Sequence, residues 1–282
     1  MRRMPVLRGN ETTTCLERIN ILAPSIFAEQ PSNDRSEKYV FIPTSAIVAR
    51  LLNEGFAVSR VQEQRTRIED RVGFTRHMVR FRHDGLMPKV DDIFPEILLI
   101  NSHDGSSSFQ ITAGLFRLAC LNGLVIGDEH FTVRQRHSGS EHDVIDGVFR
   151  VVDEIPEVMD TIHRWDGIPL TDHERTAFAR AAIPLRFEED DNGNVPVDPR
   201  QVLRPRRTAD QRTDLLSTYN VVQENLLKGG LSAKTKTGKL RRSTAVNGLQ
   251  ADVKLNKALW MLTESMAALK NSEPLPAPLM SQ

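Results

Sequence analysis

A chain of 282 residues with 37 basic and 37 acidic side chains has no formal net charge, so a polyanionic partner must be sought in local clusters. Its 39% hydrophobic content and mean hydropathy of −0.35 suit a soluble protein of one large domain or a domain plus an accessory piece, and no window approaches the ~18 apolar residues that span a bilayer. Its two cysteines, Cys15 and Cys120, exclude a four-cysteine zinc site. They make a disulfide scaffold unexpected, and "MRRMPVLRGNETTT" lacks a signal-peptide core, so the expectation is a cytoplasmic protein without membrane contact.

In chain order, residues 1–38 are polar and broken by Pro and Asn, and read as a loosely ordered lead-in. "KYVFIPTSAIVARLLNEGFAVSRVQEQRTR" predicts strand, helix, strand. Thr44 or Ser45 is the expected cap, Ile47, Val48, Leu51 and Leu52 the buried stripe, and Gly55 the stop. "FTRHMVRFRHDG" (74–85) alternates and closes on Asp-Gly, a hairpin signal. "EILLINS" (96–102) is apolar on both faces, as in a central strand. After the Asp104-Gly105 turn, the apolar run from about 108 to 121 predicts a helix stopped by Asn122-Gly123, and "HFTVRQRHSG" predicts another strand.

From about His142 the pattern is helical, with a break at Pro156 and a capping box in "TDHE" (171–174). Residues 187–211, rich in Pro, Gly, Asn and charge, predict a linker. Two helices follow, one with Leu215, Tyr219, Val222 and Leu226 on one face, the other with Leu255, Leu259, Leu262 and Met266. The expected fold is α+β: an antiparallel or mixed sheet with packed helices (a β-β-β-α core, residues 39–186), then a C-terminal helical pair (212–270) and a tail (271–282).

Three features could carry chemistry. Strand alternation puts Arg76, Arg80 and Arg82 on one face, and Thr132, Arg134 and Arg136 on one face of a second strand. With Arg60, Arg65, Arg67 and Arg71 nearby, they would make a cationic surface suited to phosphates; the plainer reading is ordinary outward arginines paired with Glu63, Glu69 and Asp70. The segment 228–248, "KGGLSAKTKTGKLRRSTAVNG", holds Lys228, Lys234, Lys236, Lys239, Arg241 and Arg242 with no acid; it is a phosphate-binding loop or a solvated connector.

The third feature is "NSHDGSSS". His103, Asp104 and Ser106–Ser108 suggest a catalytic triad, but neighbours on one turn rarely converge, so a strand–turn–helix junction is the better reading. A metal set from His103, Asp104, His137 and His142 lacks HxxxH or HExxH spacing. No P-loop and no GxGxxG after a strand occur, so no nucleotide cofactor is expected. Base stacking would fall to Phe74, Phe81, Phe109, Phe116 or Phe131.

"NSHDGSSSFQITAGLFRLACLNGLVIG", "RHSG" at 136–139 and "NVVQENLLKGGLSAKTKTGKLRRSTAVNGLQADVKLNKALWMLTESM" resemble the phage/plasmid-like protein family, a bacterial family of unknown function carried on plasmids, prophages and genomic islands. The resemblance runs from about residue 38 to 270. Its signature turn positions are Asn101, His103, Asp104, Gly105, Ser106, Asn122, Gly123, His137 and Gly139. It implies mobile-element DNA as the setting, and brings no catalytic residues or cofactor. The order helix, three strands, helix is also similar in topology to Rad52-like single-strand annealing proteins, which implies a homo-oligomer holding DNA in a basic groove.

The resulting expectation is a non-enzymatic protein of a mobile element that binds DNA, single-stranded by preference, without cofactor or metal. The residues counted for phosphate contact are Arg65, Arg67, Arg76, Arg80, Arg82, Arg117, Arg134, Arg136, Lys228, Lys234, Lys236, Lys239, Arg241 and Arg242. The alternatives are a metal-dependent nuclease centred on His103, Asp104 and His137, and a module that binds a host protein.

Overall fold

The computed structural model of the chain describes residues 12–33, 35, 39–83, 85, 93–117, 122–126, 131–135, 140–188, 196–234 and 239–273. The chain divides into two compact units, Met1–Met159 and Asp160–Gln282, and passes from one to the other within a helix.

The first unit is built on an antiparallel sheet. Its strands are β1 (Ala57–Glu63), β2 (His77–Arg82), β3 (Ile93–Asn101), β4 (Phe109–Arg117), β5 (Asn122–Val125) and β6 (Thr132–Gln135). They run β1-β2-β3-β4-β5 in space, with β6 on β4 beside β5. Helices α1 (Thr12–Leu22), α2 (Thr44–Asn53) and α3 (Glu141–Asp153) belong to this unit. Register sorts the strand residues into two faces: Val79, Leu99 and Ile111 share one, Arg80, Leu98 and Thr112 the other.

α2 forms where its apolar stripe predicts, burying Ile47, Val48, Leu51 and Leu52, and it stops at Gly55, whose φ of 90° only glycine adopts without strain. Ser140 and Asp143 form a capping box at the start of α3. Gly147 lets α3 press on the sheet: a Cβ there would stand 2.8 Å from Ile111 Cδ1.

The apolar run after the Asp104-Gly105 turn is a strand, where a helix over 108–121 was expected. Phe109, Ile111, Ala113 and Leu115 alternate with Gln110, Thr112, Gly114 and Phe116, and each row finds a partner row on β3. The alternation breaks at Leu115-Phe116, where apolar residues become adjacent, and Asn122-Gly123 opens β5 instead of closing a helix. The β-β-β-α core is therefore a longer antiparallel sheet. The lead-in differs too: α1 and a 3-10 turn at Pro24–Phe27 bury Ile19 and Ile26 completely.

The second unit takes the end of α4 (Ile155–Asp166), then α5 (Asp172–Ala182), α6 (Pro199–Val202), α7 (Leu215–Lys228), a ribbon of β7 (Ser232–Lys234) and β8 (Leu240–Arg242), and α8 (Leu249–Asn271). Residues 160–186, read with the core, and 187–211, read as a linker, lie in this unit. The second segment is fastened down: Asn225 Nδ2 donates to the Val202 and Arg204 carbonyls, and Arg206 Nε donates to Asn225 Oδ1 at 2.7 Å.

The helical pair exists, but α7 is more than a seam. Leu215, Tyr219, Val222 and Leu226 are buried, and so are Thr218, Asn220, Gln223 and Glu224. Gln223 and Asn256 join at 2.9 Å, and the Trp165 ring packs at an angle against Trp260 and edge-on to Tyr219, with centroids 4.4 and 5.5 Å apart. On α8, Leu255 and Leu259 are buried while Leu262 and Met266 are half-exposed.

Candidate nucleic-acid interface

Three arrangements correspond to the features found in the sequence. The first is the turn between β3 and β4. Ser107 N donates to Ser102 Oγ at 2.8 Å and Ser106 N to Asp104 Oδ1 at 2.9 Å, while Ser102 and Ser107 return their hydroxyls to the turn's own carbonyls. The backbone N–H groups of His103 and Asp104 both bind the Phe74 carbonyl, and Arg76 donates to the Ser106 carbonyl. Gly105 sits at φ 71°, a left-handed conformation that favours glycine. Burial pushes the Asp104 carboxyl up, but hydrogen bonds from Ser106 and Ser102 and the charge of Arg71 together hold it below its ordinary range. Tyr39, pushed up to about 12 by burial, donates to the Ser102 carbonyl.

Behind the turn, Thr44, His77, Asn101 and His103 form a buried network. Thr44 Oγ1 lies 2.9 Å from His77 Nε2, 3.3 Å from His103 Nε2 and 3.0 Å from Asn101 Nδ2. His77 Nδ1 faces the Thr75 carbonyl and must carry its proton; burial pushes this imidazole down to about 4, so it is neutral and its Nε2 accepts. The single Thr44 proton therefore goes to His77, and Asn101 and His103 donate to Thr44. Thr44 thus leaves the expected cap unmade: the N-cap of α2 is Pro43, without a side-chain bond.

This network holds the turn in place. Among the described residues no group of three or more His, Cys, Asp or Glu side chains is placed to hold a metal, and His137 of the expected nuclease set lies outside them. His142 is exposed on α3 and pairs with Asp146 at 3.5 Å.

The arginine strand face is largely internal, which corrects the outward cationic surface expected of it. Arg80 is 1% exposed and bonds Glu96 Oε2 at 3.0 Å; Arg82 bonds Glu96 Oε1 at 2.8 Å and lies 4.1 Å over the Phe116 ring. Glu96 is fully buried and also accepts from Ser59 at 2.7 Å. One carboxylate tying two guanidinium groups lowers the cost of desolvating them. Gly123 makes room for them: a Cβ there would lie 2.5 Å from Arg80 Cζ. Arg65, Arg67 and Arg134 are exposed, Arg76 and Arg117 half-buried, and Arg136, His137 and Gly139 lie outside the described residues. Phe81, Phe109 and Phe131 belong to the core and offer no stacking surface.

The third arrangement is the β7–β8 ribbon. It leaves Glu224 and its ion pair with Lys228 at the end of α7, and Gly229 turns the chain at φ 69°. Ser232 pairs with Arg242, Ala233 with Arg241 and Lys234 with Leu240, so Lys234, Leu240 and Arg242 share one face. Lys234, Lys239, Arg241 and Arg242 are all exposed, and so is Leu240 at 72%; Lys236 lies outside the described residues. The ribbon's root is fixed by an antiparallel bridge from Ala233 to Val197 and by two hydrogen bonds, Gln201 Nε2 donating to the Ser232 carbonyl and Ser232 N donating to Gln201 Oε1. An acid-free, two-stranded ribbon is narrow enough to track a phosphate backbone.

Sequence reasoning missed Thr44, His77 and Glu96 as partners in these networks. Sheet register brings His77 and Glu96 to the groups they serve, and the placement of α2 brings Thr44 to the histidines.

The chain is similar to two proteins of Escherichia coli (strain K12). It is 40% identical to UPF0380 protein YafZ and 39% identical to UPF0380 protein YfjQ, each over 246 residues, covering 87% of this chain and 88% of the relative. No solved structure matches it. A family model described as Domain of unknown function (DUF932) matches residues 32–260, which takes in the sheet, the turn, the ribbon and the start of α8. With that span and two relatives of such identity, this chain belongs to the DUF932 family.

Proposed function

We propose that this chain binds DNA, single-stranded by preference, through its phosphates and without chemical turnover, and that it serves recombination, annealing or plasmid maintenance on a mobile element. The observation that carries the reading is the β7–β8 ribbon, where Lys234, Lys239, Arg241 and Arg242 stand exposed in a stretch free of acids. Phosphate contacts of this kind are indifferent to base sequence and release counterions, so affinity falls with salt. The mobile-element setting comes from the family resemblance; the helix, three strands, helix order that implied a single-strand preference is not kept, because residues 109–117 form β4, so that preference stands on the test alone.

The test is fluorescence anisotropy with labelled single-stranded and duplex oligonucleotides of matched sequence, titrated at several salt concentrations. Replacing Lys234, Lys239, Arg241 and Arg242 by Ala is expected to weaken binding about tenfold or more and to flatten the log–log salt slope by about 3, from ~0.7 per lost contact. Unchanged affinity and slope would overturn the reading, and tighter duplex binding would remove the single-strand preference.

A further inference from the structure

The second unit contains a cleft that neither the ribbon nor the buried networks use. It has a volume of about 490 Å³ and is formed by the first turn of α5, by α6 and by the segment that follows α6. That size suits one nucleotide unit.

Its polar wall carries two guanidinium groups against one carboxylate. Arg175 is 15% exposed, and its only hydrogen bond to an acid among those described is a long one, 3.4 Å to Asp172 Oδ1. Its Nε is buried with no acceptor. Arg200 also lines the cleft, is 91% exposed and lies 3.7 Å from Asp198, so its long side chain can swing over a bound anion. Gln211 is exposed at the rim and offers a neutral amide. Leu203 and Pro205 line the rest with apolar surface fit for a sugar or base.

The cleft adjoins the ribbon through a single residue. Gln201, next to Arg200, holds both backbone groups of Ser232 on β7, at 3.1 and 2.8 Å. Gln201 therefore ties the root of the ribbon to the short helix that carries Arg200.

We infer that Arg175 and Arg200 form a second phosphate site, which takes a nucleotide phosphate while Leu203 and Pro205 meet the attached sugar or base. The inference rests on the nucleic-acid reading above but uses other residues, so the two fail separately. The phosphate could belong to a strand end or to the backbone, and the probes tell these apart.

The experiment compares the full chain with Arg200→Ala, Arg175→Ala/Arg200→Ala and the ribbon variant. Circular dichroism checks folding, and exposed Arg200 supplies a variant that leaves the packing of α5 intact. Binding of 3′-labelled oligonucleotides with a 5′-phosphate or a 5′-hydroxyl is followed by anisotropy, and deoxynucleoside 5′-monophosphate binding by calorimetry. For a strand-end site, the wild type prefers the 5′-phosphate severalfold and the double variant loses the preference while the ribbon variant keeps it. For a backbone site, the double variant weakens both oligonucleotides equally, by about three- to tenfold. Monophosphate binding retained in the ribbon variant and lost in the double variant supports the cleft even if no oligonucleotide binds. Equal affinity of wild type and both cleft variants for every probe overturns it.

Discussion

His77 is fully buried, donates to the Thr75 carbonyl and accepts from Thr44, an arrangement that only the neutral ring fits. Its pKa is pushed down from 6.5 to about 4 by burial. The unfolded chain therefore takes up a proton at this ring before the folded one does. The contribution of neutral His77 is complete above about pH 6.5 and is lost as pH falls towards 4, by about 3 kcal/mol in all. Urea unfolding between pH 7 and pH 4.5 should show this decline, and His77→Gln should reduce its slope. Glu96 is the matching case for charge. Glu96→Ala deprives Arg80 and Arg82 of the carboxylate they share inside the protein, and a cost of about 3–5 kcal/mol is expected in chemical denaturation. Arg80 and Arg82 were legible as one strand face, but whether that face meets solvent is not written in the alternation of β2.

Among the elements, α3 and β4 show how packing overrides local preference. Gly147 interrupts α3 because Ile111 and Val133 occupy the space its side chain would need, at 2.8 and 3.1 Å from a Cβ. Alanine favours a helix by about 1 kcal/mol over glycine, yet Gly147→Ala should destabilise the protein by about 1–2 kcal/mol net, as the overpacking term exceeds the propensity gain. A higher unfolding midpoint for this variant would contradict the packing described. β4 itself was read as a helix because its alternation breaks at Leu115-Phe116, where apolar residues become adjacent, whereas α2 and α3 keep one apolar stripe throughout. The capping box of α5 was legible because Thr171 and Glu174 complete it within four residues.

At the level of the whole molecule, the two tryptophans of the chain, Trp165 and Trp260, stand together in the second unit. Intrinsic fluorescence therefore reports that unit, and Trp260→Ala should lower its urea midpoint through a loss of about 3–5 kcal/mol of packing. No helix of the described residues is long and apolar enough to cross a membrane. The sequence by itself determined what depends on near neighbours: an α+β chain, the stripes of α2 and α7, the Asp104-Gly105 turn, and the acid-free stretch 228–248. Only the tertiary structure decided that Arg80 and Arg82 turn inward to Glu96, that Thr44 serves two histidines instead of a helix end, and that the basic stretch is a ribbon rooted beside the Arg175–Arg200 cleft. The burial of Arg80 and Arg82 and the place of Thr44 depend on partners 14 to 59 positions away, held by packing and desolvation, and neither spacing nor composition encodes such distances.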